Sequence, residues 1–265
     1  MKQWKIFELK CFEYLKNNFS RFAQFTMQGG SDSTTADIQV HTQNNKMFYL
    51  ETKHCPAQCG QFVLFANQNT RNFDYSAKNI TTLNSYYKSI IDYMNQDFEG
   101  FKNASTRSKK IEFENSSEIF AKWIIETYKQ KNVKFFITNN YQIIPLTNIT
   151  DYFNITARYR VKRSGSRKIS KKDISIIRNY ISGTYNLNNF IEINDRLYVQ
   201  SALNLHNTKF NINGNEYMFS VRNQYFEIRK LSNTFNANVI FSITLKPNIN
   251  GLSVEEFINF LVSYC

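Results

Sequence analysis

The segment Met47–Lys53 does most to constrain what this chain can fold into. Met47, Phe48, Tyr49 and Leu50 make an apolar run of strand length, and Glu51 and Lys53 follow directly on it. Residues two apart on a strand leave the same face, so a carboxylate and an ammonium emerge together at the end of a buried strand. Unpaired buried charge is costly, and such a strand end calls for an explanation. The bland one is a cross-face ion pair on an exposed edge, which contributes little. The apolar residues leading into Glu51 argue against a solvated strand.

Asp37–His41, a polar turn at Thr42–Lys46 and Met47–Lys53 read together as a hairpin. Asp37 begins the partner strand and so arrives at the same end of the sheet as Glu51. An odd number of turn residues sets the two directly opposite each other, and a bulge would do the same. The alternative is that Asp37 is a plain turn residue. Two converging carboxylates make a hard oxygen site suited to Mg²⁺. The backbone carbonyl of Thr52 could supply a third oxygen, and Lys53 could orient or deprotonate an attacking water. A metal there would neutralise charge developing on a phosphate, so the chemistry expected is in-line hydrolysis of a phosphodiester.

The rest of the chain supplies a frame for that hairpin. Residues 2–19 read as an amphipathic helix with Trp4, Phe7, Cys11, Phe12, Leu15 and Phe19 at helical spacing. Arg21–Met27 reads as a strand, Gln28–Thr35 as a loop of turn formers, and Cys55–Gln61 as a loop around Pro56 and Gly60. Helices are expected over Ile80–Met94 and Ser117–Lys131, then a buried strand at Val133–Thr138. Beyond residue 155 a basic segment leads to a short helix at Asp173–Ile181. Strands are expected at Phe190–Ser201, Lys209–Ser220 and Tyr225–Leu245, with Asn213-Gly214 as a hairpin turn. A last helix starts at Val254, where Ser253 and Glu256 form the capping-box pattern.

Charge narrows the partners. The 33 Lys and Arg against 21 Asp and Glu give +12, a field that draws polyanions, nucleic acid before membrane surfaces. The charged residues among the first thirteen do not fit a signal peptide, and no apolar run is long enough to span a bilayer. Four cysteines in 265 residues make no disulfide framework, so a reducing, cytoplasmic setting is expected. His54, Cys55 and Cys59 hint at a metal, but their spacing matches no common zinc pattern and a fourth ligand is missing.

Asp37, a spacer of 13 residues and then Glu51-Thr52-Lys53 resemble the PD-(D/E)xK nuclease motif. That superfamily takes in most type II restriction endonucleases and the archaeal-type Holliday junction resolvases. The Gly-Gly-Ser-Asp-Ser loop before Asp37 is similar to the small-residue loops of relatives. Glu8 lies on the apolar face of the first helix, where many members place an extra acidic ligand; it could instead pair with a lysine. Ala36 departs from the pattern, standing where the motif has its proline. The resemblance covers roughly residues 2–138. It implies an α/β restriction-endonuclease-like core of helix, three-stranded antiparallel meander, helix and strand.

The expected organisation is therefore a nuclease core over 1–155, with an insertion at about 62–115, followed by a basic, mostly β region over 156–265 that holds DNA. Arg158–Lys172 carries eight basic residues and no acidic one. Such runs are usually solvated faces, but this one lies between ordered elements and bends at Ser164-Gly165-Ser166. Arg158, Arg160, Lys162, Arg163, Arg167, Lys168 and Lys171 are the candidate DNA contacts, and Arg163 or Arg167 could reach guanine edges. Gln58 and Gln61 follow the motif where relatives often touch the DNA backbone. The resemblance implies a Mg²⁺-dependent type II restriction endonuclease that cuts a short site in double-stranded DNA as a homodimer. The rivals are a junction-resolving nuclease that reads DNA shape, and a non-catalytic DNA-binding module.

Overall fold

Ile38 and Val40 alternate with Gln39 and His41, and Phe48 and Leu50 with Tyr49 and Glu51. Each pair of neighbouring residues therefore splits between a buried face and a more open one. The computed structural model describes residues 3–28, 35–77, 79, 81, 83, 85–104 and 107–264, so most of the Gln28–Thr35 loop lies outside the described residues. The chain divides into two units, Met1–Arg160 with Ala237–Cys265, and Val161–Asn236.

The first unit runs α1 (Gln3–Phe19), β1 (Ala23–Met27), β2 (Ile38–Thr42), β3 (Met47–Lys53), β4 (Ala57–Asn67), β5 (Asn72–Tyr75), α2 (Ser85–Gln96), α3 (Phe98–Lys102) and β6 (Lys109–Ile111). It continues with α4 (Ser116–Lys129), β7 (Val133–Thr138), β8 (Ile143–Pro145), α5 (Ile149–Tyr152) and β9 (Phe153–Arg163), whose last residues enter the second unit. One sheet has the order β1-β2-β3-β7-β8. Its first three strands form an antiparallel meander, and β7 joins β3 in parallel, as a strand returning through a helical crossover must. Cys11, Leu15 and Phe19 of α1 pack on Phe25, Ile38, Val40, Phe48, Leu50, Phe135 and Ile137.

The second unit holds β10 (Ser166–Lys168), α6 (Ile174–Tyr185), β11 (Phe190–Ile193), β12 (Arg196–Val199), β13 (Lys209–Ile212), β14 (Asn215–Arg222) and β15 (Tyr225–Leu231). Its sheet has the order β11-β12-β15-β14-β13, with β10 paired to β15. Ile177 and Ile181 of α6 cover Leu197, Val199, Phe219, Phe226 and Ile228 on one face. The chain then returns to the first unit through β16 (Phe235–Leu245) and ends on α7 (Val254–Ser263), whose Phe257 and Leu261 complete the core on α1.

Several expectations change here. Residues 237–265 do not continue the basic region; they close the first unit. The stretch read as an insertion at 62–115 is built into that unit, because β4, β5 and β6 form a second sheet, β5-β4-β16-β9-β6, with strands from far along the chain. The loop expected at Cys55–Gln61 is largely strand β4. Gly60 there has φ +107°, and a Cβ on it would sit 2.7 Å from the Trp123 ring, so this glycine admits a buried aromatic. Phe190–Ser201 is two strands turned at Asn194-Asp195, while Asn213-Gly214 turns β13 into β14 as expected. Tyr225–Leu245 divides into β15 and β16, which belong to different sheets. The capping box at Ser253 and Glu256 is present in full.

Candidate active site

The register Ile38↔Leu50 carries Asp37, one residue before β2, to the position opposite Glu51 at the end of the meander. Asp37 does not extend the strand. Its Oδ2 accepts hydrogen bonds from the Thr52 amide at 2.8 Å and the Thr52 hydroxyl at 2.7 Å, so Thr52 fixes this carboxylate from two directions. On the far side of β3, the Thr138 hydroxyl donates to the Lys53 carbonyl at 2.7 Å, and the Asn139 amide clamps the backbone of Cys55. Both ends of the Glu51–Lys53 segment are thereby held by polar contacts as well as by packing.

Lys53 Nζ donates to Glu51 Oε1 at 2.7 Å, with side chains only 11% and 12% exposed. This is the ion pair of the bland reading in geometry but not in place, since it lies inside the protein wall. Glu51 Oε2 is buried and has no hydrogen-bond partner among the described residues. A buried carboxyl oxygen left bare in that way is costly unless something else coordinates it.

Glu8 is buried on the α1 stripe with Cys11 and Leu15. Burial first, then the charges of Asp37 and Glu51, push its pKa up to about 7. Asp37 is raised for the same reasons, burial and then Glu51, despite its bonds from Thr52. Burial and the neighbouring carboxylates disfavour the charge of Glu8 and Asp37, which makes this a place that favours a cation. No three Asp, Glu, His or Cys side chains among the described residues close around a metal by themselves. Magnesium does not need that, because it keeps several waters and takes one or two carboxylates from a protein.

Burial alone would lower the Lys53 pKa. The groups around it, with Glu51 in direct contact, act the other way and raise the Lys53 pKa above its ordinary value. Lys53 is therefore a protonated donor in this arrangement. Tyr128 on α4, which no motif marks, donates to Glu51 Oε1 at 3.3 Å, and its ring lies 5.4 Å from Lys53 Nζ. Its place was legible only as one more aromatic on a helical stripe. Of the residues suspected of binding zinc, Cys55 accepts from the Thr138 hydroxyl, Cys59 is fully buried with its thiol pushed up to about 12 by burial, and His54 stacks near Phe7.

The candidate DNA contacts fall in several places. Gln58 and Gln61 are exposed on β4, with the Gln58 amide donating to Gln61 at 3.2 Å. Arg158, Arg160 and Lys162 occupy successive exposed positions of β9, and Arg158 donates to Ser108 at 3.2 Å. Arg163 is committed to Glu216 and lies over the Phe235 ring at 5.2 Å, so it is less free to reach a base than the sequence suggests. Arg167 is exposed on β10, after the bend at Gly165 with φ +113°. Lys168 and Lys171 both reach Asp195, at 3.4 and 2.9 Å.

A scan against protein-family models finds no match, and a search of curated proteins finds none either. Among solved structures, HhaI endonuclease in complex with DNA superposes with a TM-score of 0.83 at 36% sequence identity. The alignment takes in 99% of this chain and 100% of that one, so it covers both units as well as the hairpin that carries Asp37, Glu51 and Lys53. At that identity over the full length of both chains, this protein belongs to the family of HhaI endonuclease.

Proposed function

We propose that the protein is a Mg²⁺-dependent DNA endonuclease of the type II restriction kind, with Asp37, Glu51 and Lys53 as its catalytic residues. The observation that carries this reading is the bare, buried Glu51 Oε2 beside Lys53 and within the influence of Asp37 and Glu8. The bound DNA of the related HhaI endonuclease supports duplex DNA as the substrate. Asp37 and Glu51 would hold the metal, with the Thr52 carbonyl and Glu8 as further oxygen donors. Bound Mg²⁺ supplies a positive charge against which negative charge develops on the scissile phosphate.

The chain's own groups do the rest. Thr52 keeps the Asp37 carboxylate turned into the site. Lys53, paired with Glu51, is placed to orient the attacking water or to donate to a phosphate oxygen. Tyr128 and Lys53 share Glu51 Oε1 and leave Oε2 for other partners. A homodimer belongs to the reading because a two-fold protein matches a two-fold site.

Incubation with plasmid DNA and Mg²⁺ tests it. Discrete fragments are expected from the wild type, and none from Glu51→Ala or Lys53→Ala, while both variants bind DNA in Ca²⁺. Near-normal cutting by either variant removes the assignment. Sedimentation with one short duplex reads the assembly: two chains per duplex are expected, and one chain per duplex overturns the homodimer.

A further inference from the structure

Glu227 in β15 is fully buried, yet it does not belong to the apolar core of its unit. Its neighbours Phe226 and Ile228 face α6, so Glu227 leaves the sheet by the opposite face. Three guanidinium groups meet it there. Arg229 Nη1 and Arg196 Nη1 donate to Oε1 at 2.9 and 3.2 Å, and Arg222 Nε donates to Oε2 at 3.2 Å.

One cation balances one carboxylate, and Arg229 serves that purpose. It is only 17% exposed, and its other donors are used on Ser166, Nε to the hydroxyl at 2.7 Å and Nη2 to the carbonyl at 2.6 Å. Arg196 and Arg222 are surplus to the balance. Their side chains are 43% and 51% exposed, and each stands at the corner of a tight hairpin, just after Asn194-Asp195 and just before Asn223-Gln224. Each gives Glu227 one nitrogen; Arg222 Nη1 also reaches the Val221 carbonyl at 3.4 Å, and both side chains keep further N–H donors beyond these bonds.

We propose that Arg196 and Arg222 are specificity-determining residues, held by Glu227 so that their guanidinium forks take the O6/N7 edge of guanine in duplex DNA. The inference rests on DNA being the substrate. A phosphate needs only a nearby positive charge, which a mobile lysine supplies. A base edge needs a planar fork at a set angle, and a buried carboxylate gripping an exposed arginine provides that while lowering the ordering cost of binding.

The test uses the full chain and a library of duplexes with a randomised centre, bound in Ca²⁺ and sequenced after selection. Arg196→Lys and Arg222→Lys keep the charge and lose the fork. Each should lower the preference for guanine at one position of the selected motif by roughly ten- to a hundredfold. Affinity for the unselected library and its salt dependence should hold. Glu227→Gln should relax both positions together, and the two lysine variants carry the test if that change unfolds the unit. An unchanged motif in both lysine variants overturns the proposal. So does a uniform loss of affinity with a shallower salt slope, which would mark phosphate contacts, or a wild type that selects no motif. A wild type that selects a motif but cuts no DNA sinks the nuclease reading and leaves the arginine result standing.

Discussion

Tyr128 reaches Glu51 from α4, and its hydroxyl is worth testing apart from its ring. The ring packs on Phe136 with centroids 5.0 Å apart, and burial holds the phenol well above its ordinary pKa, so it donates to Glu51 without ionising. Tyr128→Phe keeps the packing and removes one long hydrogen bond, 3.3 Å to Glu51, an effect of about 1 kcal/mol. Single-turnover cleavage should slow roughly three- to tenfold with DNA affinity unchanged. An unaltered rate would make Tyr128 a packing residue only. Glu8→Gln separates ligand from bystander in the same way. Replacing a carboxyl whose charge is disfavoured first by burial and then by Asp37 and Glu51 should raise the melting temperature of the metal-free protein and shrink the further rise given by Ca²⁺. If the Ca²⁺ increment is untouched, Glu8 does not reach the cation. The convergence of Asp37, Glu51 and Lys53 was legible because charge at the end of an apolar strand violates the pattern around it. Tyr128 was not, because an aromatic on a helix stripe violates nothing.

At the scale of elements, the meander could be read because its alternation is regular and its turn is short. Strand β4 could not be, because Pro56 and Gly60 carry the usual signals of a loop. Gly60 is there for a tertiary reason, the approach of Trp123, which stacks at 4.1 Å on Phe241 of β16, far along the chain. Gly60→Ala should cost about 1–3 kcal/mol from its positive φ alone, and the close ring should add to that. Thermal melting checks it, and a melting temperature within a degree of wild type would contradict the account. Ser253→Ala should cost about 1 kcal/mol, since it removes the acceptor for the Glu256 amide. The α7 boundary was legible for the same reason that this substitution matters, because a cap is local chemistry. That Phe257 and Leu261 of α7 close the core on α1 was not legible, because nothing local says which sheet a distant helix covers.

At the scale of the whole molecule, the sequence marks the change of character after residue 155 but not the return at Ala237, which depends on which strands pair. The basic segment bears on how the second unit meets DNA. Lys162, Lys168 and Lys171 lie within that unit, and the last two share Asp195 as an exposed partner. Exposed ion pairs contribute little, so a phosphate can displace Asp195 easily. Each phosphate neutralised on B-DNA adds about −0.9 to the slope of log K against log salt. Replacing all three lysines by alanine should therefore make the slope shallower by roughly 2 to 3 if all three touch phosphate. Affinity should fall on every sequence alike, because phosphate contacts carry no base information. Asp195→Asn provides the control of opposite sign. It removes a charge that competes with phosphate for Lys168 and Lys171, so affinity for random duplex should rise, and most at low salt, where screening is weakest. If the triple variant loses affinity but Asp195→Asn gains none, Lys162 alone makes the contact. A triple variant with an unchanged slope would move the grip away from this segment, with Arg158 and Arg160 on β9 as the next positions to replace.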